Sequence, residues 1–164
     1  MTDQDTRPNG FLCVYDPGLL TGYCKIMVNY GDDSRPMIDI VDVAELTLGE
    51  MYERFVTGQA VSEADILVME AFTINAGSAK KTFQPTSLHL IGLATAHLYV
   101  AGRSNEPILQ YATDAKTFCP NERLREYNMW HKGGEGHARD ALRHAVKWLF
   151  DNGYGKDVLA RRTP

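Results

Sequence analysis

The sequence predicts an α/β layered domain: a five-stranded mixed sheet flanked by helices. Three observations predict it. Residues 10–43 hold three apolar, strand-like runs separated by turn residues, which is the pattern of a meander. The run Ile66-Leu67-Val68-Met69 is short and continuously apolar, as a strand buried on both faces is. Helix-like and strand-like segments then alternate to the end of the chain, which implies crossover connections and helices on both sides of the sheet.

Residues 1–9 are polar and read as a disordered lead-in. The first strand runs from Phe11 to Asp16, where Pro17-Gly18 forces a tight turn. Gly22 to Asn29 is the second strand, joined to the first through Gly18-Leu19-Leu20-Thr21. Met37 to Val43 is the third. Thr47 and Glu50 form a capping box, so a helix is expected from Leu48 to about Thr57, with Gly58 ending it. Ile66 to Glu70 is the fourth strand. Residues 71–84 have no clear period and read as a loop. Pro85-Thr86-Ser87 opens a helix that Gly102 closes, and Pro107 to Tyr111 is the fifth strand. A turn or two of helix is expected within Asn121 to Trp130. Lys132 to Gly136 reads as a flexible hinge. His137 to Asp151 is the last helix, ended by Asn152-Gly153, and a C-terminal tail covers 153–164. The folded unit is therefore 10–152, and 164 residues suit one domain that buries roughly 70% of its unfolded surface.

Bulk composition removes several function classes. The three cysteines, Cys13, Cys24 and Cys119, are scattered and odd in number, which argues against a disulfide framework or zinc knuckle and for a reducing, cytoplasmic setting. The first residues are acidic and polar rather than signal-like, and no apolar run approaches the ~18 residues of a membrane span. Net charge is −4, but it is unevenly spread. Residues 1–75 carry 4 Lys and Arg against 13 Asp and Glu, and residues 76–164 carry 13 against 8. A basic second half on an acidic chain is one sign of a polyanion-binding face, and also what two chance surfaces would give.

Three acids stand at the rims of apolar elements. Asp16 ends the first strand, Glu70 ends the fourth, and Asp140 lies in His137-Ala138-Arg139-Asp140-Ala141-Leu142. At 100° per residue, His137 and Asp140 are about 60° apart and Asp140 and His144 about 40° apart, on a face with Arg143 and Lys147. Ala138, Ala141, Leu142, Ala145 and Leu149 line the other side. Two carboxylates ending adjacent buried strands repel unless a cation joins them, and hard Mg²⁺ favours such oxygens. Each acid also has a plain structural reading: a turn-stabilising Asp, a solvent-facing strand end, an acid in the first turn of an amphipathic helix.

The order of elements fits the ribonuclease H-like fold among other α/β domains. The run Asp16-Pro17-Gly18-Leu19-Leu20-Thr21-Gly22, the strand-end Glu70 and His137-Ala138-Arg139-Asp140-Ala141 together resemble the RuvC group of Holliday-junction resolvases, especially the small phage-encoded ones. Residues 107–116 resemble that family's fifth strand and the basic segment after it. Two departures stand out. The Asp-Pro-Gly to Thr-Gly spacing is one residue shorter than in the bacterial cellular enzymes, and residues 117–136 do not match their glycine-rich segment.

The resemblance implies a catalytic, metal-binding set of Asp16, Glu70, His137 and Asp140, with Mg²⁺ or Mn²⁺, two ions per site, hydrolysing phosphodiesters to leave 5′-phosphates. It implies a homodimer on four-way DNA junctions, with no membrane and no nucleotide cofactor. The helix from Ser87 to Val100, apolar over much of its circumference, is the candidate dimer face. Lys80, Lys81, Lys116, Arg139 and Arg143 are the candidate phosphate contacts, and Phe72, or else Phe83, the candidate wedge at the branch point. Related nucleases acting on flaps, forks or hybrids, and a non-catalytic branched-DNA module, remain as alternatives. An actin-like kinase is disfavoured because such enzymes need two lobes.

Overall fold

A computed structural model describes residues 10–30, 36–72, 86–103 and 106–154. The strands are β1 (Gly10–Asp16), β2 (Leu20–Tyr30), β3 (Pro36–Thr47), β4 (Ile66–Glu70) and β5 (Ile108–Gln110). The helices are α1 (Leu48–Val56), α2 (Gln59–Ser62), α3 (Thr86–Val100), α4 (Ala112–Phe118), α5 (Asn121–Glu126) and α6 (His137–Asp151). The sheet order is β3-β2-β1-β4-β5. β1 is antiparallel to β2, and β2 to β3, whereas β1–β4 and β4–β5 are parallel. β1 is thus the central strand with β4 beside it, as the apolar runs imply.

Alternation along the strands divides the core in two. Leu12, Val14, Cys24, Ile26, Val28 and Val68 face one side, where Ala141, Leu142, Ala145, Val146 and Leu149 of α6 cover them. Cys13, Tyr15, Tyr23, Leu67 and Met69 face the other, under Met51 and Phe55 of α1, Ala60 and Val61 of α2 and Leu90, Ala94 and Leu98 of α3. Tyr15 meets Phe55 edge-on, with centroids 5.3 Å apart. All three cysteines are free and buried. No helix among the described residues is long and apolar enough to cross a membrane.

The Thr47 capping box is present: the Glu50 N–H donates to Thr47 Oγ1, and the Thr47 N–H donates to Glu50 Oε2 at 2.7 Å. The last helix ends where Asn152-Gly153 indicates, with the Tyr154 N–H bonded to the Leu149 carbonyl and the Gly153 N–H to that of Phe150. β2 and β3 run longer than their apolar cores, because the ladder continues past a bulge at Lys25/Ile26 to the pair Leu20–Thr47. The short helices α2 and α4 were not expected: four and seven residues are too few for a helical period to show.

Two readings are corrected. Leu90 and Leu98 of the proposed dimer helix are core residues under α1 and α2. The large apolar residues α3 leaves outside are Leu88, Tyr99 and Val100. The stretch 132–136 is not a free hinge but is tied to its surroundings. Glu45, on the extension of β3, accepts hydrogen bonds from the backbone N–H groups of Glu135 and Gly136, each at 2.7 Å, and from Ala138 at 3.3 Å. Arg139 donates to the Gly133 carbonyl at 3.2 Å.

Glu45 therefore caps α6 from another element, where α6 has no side-chain cap of its own. Burial pushes its carboxyl up, and the backbone N–H groups together more than reverse this and hold it below the ordinary range. A depressed carboxyl adds stability above its unfolded value that is lost as pH falls through the folded value. Glu45→Ala is expected to destabilise by about 1 kcal/mol at neutral pH, the usual worth of a cap. Urea titrations at pH 7 and pH 3.5 check this: the deficit should shrink at the lower pH, and an equal deficit at both would remove the charged cap.

Candidate active site

One row of residues crosses the sheet at the carboxyl ends of β1 and β4. Asp16 pairs with Gly22. Tyr15 pairs with Met69, so Asp16 and Glu70 follow as neighbours. Glu70 pairs in turn with Gln110. Paired residues point to the same face, here the face that α6 covers.

Gly22 lets the helix come down on this row. A Cβ there would overlap the His137 carbonyl and press on the Ala138 nitrogen, so the first turn of α6 rests directly on the β2 backbone. The hairpin that carries Gly22 is fixed by Thr21, whose hydroxyl accepts from the Gly18 N–H at 3.2 Å and lies 3.3 Å from the Gly18 carbonyl. The close approach brings His137 Nδ1 to 3.1 Å from Asp16 Oδ2. It also brings Asp140 close enough for its charge to act on Asp16.

Asp16 is 8% exposed. Burial, then the negative charge of Glu70, pushes its carboxyl up to about 6; the hydrogen bond from His137 pulls the other way and Asp140 adds to the rise. Asp140 is bonded by Arg143 through Oδ1, and Lys116 Nζ lies 3.0 Å from Oδ2. Glu70 Oε2 lies 3.0 Å from His144 Nε2. The four residues named from the sequence therefore gather at one place, drawn from two strands and a helix. A cavity of about 270 Å³ opens beside Asp140 and His137, between Arg139, Arg143, Asn121 and Trp130.

No group of three His, Cys, Asp or Glu side chains among the described residues forms a ready metal shell. The acids are instead engaged by His137, His144, Lys116 and Arg143. The donor chemistry still fits a hard divalent ion. Three carboxylates converge; the Asp16 carboxyl is raised by burial first and by the charges of Glu70 and Asp140 after it, and a cation would offset both costs.

The candidate DNA contacts divide. Lys116 is half exposed beside Asp140. Arg143 is a brace, bonded to the Cys119 carbonyl at 3.2 Å, to Asn121 Oδ1 and to Asp140. Arg139 holds the loop before α6 and lies 5.0 Å over the Trp130 ring. Phe72 follows β4 by two residues and is half-buried. Lys80, Lys81 and Phe83 lie outside the described residues.

Sequence reasoning put His144 on the polar face of α6, but it is 1% exposed and bonded to Glu70 and Gln110. Its 40° offset from Asp140 was the available signal. Gln110, in a three-residue strand, and Glu45, 90 residues from its nearest partner, gave none.

No protein-family model matches the chain, and no curated protein matches it significantly. Solved structures do. T. thermophilus RuvC in complex with Holliday junction substrate aligns with a TM-score of 0.59 at 14% identity, covering 87% of this chain and 94% of that one. A second Thermus thermophilus RuvC structure aligns at 0.58 and 12% identity, covering 88% and 97%. The five-stranded mixed sheet with its flanking helices is thus the ribonuclease H-like fold of RuvC, the architecture the order of elements implied.

Proposed function

We propose that this chain is a divalent-metal-dependent endonuclease that resolves four-way DNA junctions by paired, symmetric nicks. The observation that carries the reading is the convergence of Asp16, Glu70 and Asp140, with His137, at the carboxyl ends of the central strands. The likeness to a RuvC bound to a Holliday junction supports the choice of substrate.

Asp16, Glu70 and Asp140 would hold the cations, with His137 as a further ligand or a hydrogen-bonding group for the attacking water. Bound Mg²⁺ or Mn²⁺ would supply charge neutralisation of the phosphate and an activated water for in-line attack. His137 steadies the Asp16 carboxylate from the start of α6. Arg143 and Lys116 set the position of Asp140. A junction with approximate two-fold symmetry calls for two such sites, which a C₂ dimer provides. Leu88, Gly92, Ala96 and Tyr99 share an exposed face of α3 and are the surface proposed for it.

An end-labelled four-way junction and a matched linear duplex, each incubated with Mg²⁺ and with a chelator, test this. Paired metal-dependent nicks in the junction, with the duplex intact, are expected. Equal cutting of both would mean a broader nuclease acting on flaps, forks or hybrids, and binding without cutting a non-catalytic module. Lys116→Ala is expected to lower the slope of log K against log salt by about 0.7 to 0.9, the worth of one phosphate contact. An unchanged slope in chelator-containing buffer would remove Lys116 from the interface.

A further inference from the structure

Beneath the acid row lies a buried polar relay that the proposed chemistry does not use. His144, on α6, is 1% exposed and sits among apolar neighbours on its helix, Ala141, Ala145 and Trp148. Its Nε2 is 3.0 Å from Glu70 Oε2 and its Nδ1 is 3.0 Å from the Gln110 side chain. Gln110 is 9% exposed and is the β5 partner of Glu70 in the sheet register. Glu70 and Gln110 thus stand side by side by register, and His144 bonds to both from the helix above.

The hydrogen-bond roles follow from what each group can offer. A carboxylate can only accept, so His144 Nε2 carries the proton of the bond to Glu70. The Gln110 amide has both a donor and an acceptor and satisfies Nδ1 whether or not that nitrogen is protonated. The bond to Glu70 therefore persists in either charge state of the ring. It occupies Oε2 of Glu70, whereas Oε1 has no partner among the described residues.

We infer that His144 is a positioning residue for the metal site: its Nε2–H holds Glu70 by Oε2 and leaves Oε1 to face a divalent cation, while Gln110 fixes the ring. This deepens the endonuclease reading and rests on it. An outer hydrogen bond of this kind does two things for a ligand carboxylate. It removes the rotameric freedom that would otherwise be lost on binding the ion. It also fixes which oxygen is offered. The relay further explains a local oddity: a buried histidine and a buried glutamine in a largely apolar core would be costly unless each had a partner.

Two variants of similar bulk separate positioning from packing. His144→Gln keeps an amide N–H near the place of Nε2; His144→Met fills the space and has no donor. Both are expected to fold, since each keeps about the bulk of the ring in a well-packed core. The readouts are the Mn²⁺ affinity of the DNA-free protein, measured by the loss of the free-ion electron paramagnetic resonance signal, and junction binding in chelator. His144→Met is expected to weaken Mn²⁺ binding by about 10- to 100-fold. His144→Gln should stay within about threefold of wild type, the rescue that a donor role demands. Junction binding in chelator should be unchanged in both. Equal Mn²⁺ affinity in wild type and His144→Met would overturn the inference, and so would equal weakening in both variants, which would mark a packing role. Wild-type protein that takes up no Mn²⁺ would overturn the metal-site reading itself, and with it this one.

Discussion

Asp16→Asn is expected to leave a protein that binds a four-way junction but does not cut it, and that is more stable than wild type when free of metal. The two effects share one cause. Asp16 ends the central strand nearly out of solvent, beside Glu70 and Asp140, and its carboxyl is pushed up to about 6. The folded protein therefore holds a proton there more tightly than the unfolded chain does. Below the unfolded value of 3.8 the group costs nothing. As pH rises from there through about 6, ionisation subtracts stability, and above that the loss is complete. A rise of about two units corresponds to roughly 3 kcal/mol, an upper figure because Asn carries its own desolvation cost. In chelator at pH 8, the Asn variant should melt roughly 5 °C above wild type, and the gap should close by about pH 4.

The same substitution removes the oxygen charge best placed to attract a cation. On the proposed mechanism cleavage should fall by roughly a thousandfold or more, since the attacking water would need bound metal for its activation at neutral pH. Asp140→Asn should lose activity likewise. Single-turnover nicking of a junction, with melting curves across the pH range, checks both halves. Wild-type cleavage by Asp16→Asn would sink the site assignment. A variant less stable than wild type at pH 8 would mean that Asp16 is held by partners rather than strained by its neighbours.

Gly22→Ala is the second large effect, and it is steric. Gly22 has an ordinary backbone conformation, so an alanine meets no torsional penalty. Its methyl would enter the space of the His137 carbonyl and the Ala138 nitrogen. Those atoms are backbone at the start of a fifteen-residue helix, which cannot yield as a side-chain tip can. Overpacking usually costs about 1–3 kcal/mol, and against rigid backbone the upper end applies. A fall in melting temperature of roughly 6–10 °C follows. Protein that remains folded should have the start of α6 lifted from the sheet, parting His137 and Asp140 from Asp16. Misplacement by about 1 Å is enough to lower a rate about a hundredfold. Thermal unfolding and cleavage of the same sample read out both effects. A melting temperature within about 1 °C of wild type would show that the helix does not need this contact.

How far the site was legible follows from what places each residue. Asp16 and Glu70 announce themselves because each interrupts an apolar run at its end, and the turn after Asp16 is marked by Pro17-Gly18. Register then does the rest: strands that pair β1 with β4 in parallel bring the two acids side by side. Asp140 is legible through helical spacing and the glycines before it. His144 is visible in the sequence as a face-mate of Asp140 and reads there as polar surface, because the width of the buried arc on α6 depends on how the helix lies on the sheet. Arg143 reads as a free cation in sequence, yet its guanidinium is committed to Asp140, Asn121 and the Cys119 carbonyl.

The order of the five strands and the longer helices, the two-sided burial of β4, the N-cap of α1, the C-terminal stop of α6 and three acids at the rims of apolar elements are all legible in the residues alone. Those are properties of a residue and its near neighbours, set by alternation, helical period and turn chemistry. The tertiary structure decided the rest: that Gly22 seats α6 on the sheet, that Glu45 caps that helix from β3, and that His144 and Gln110 stand behind Glu70. Each depends on the rotation and height of one helix over the sheet. No local pattern encodes those two quantities, because close packing between segments distant in sequence sets them.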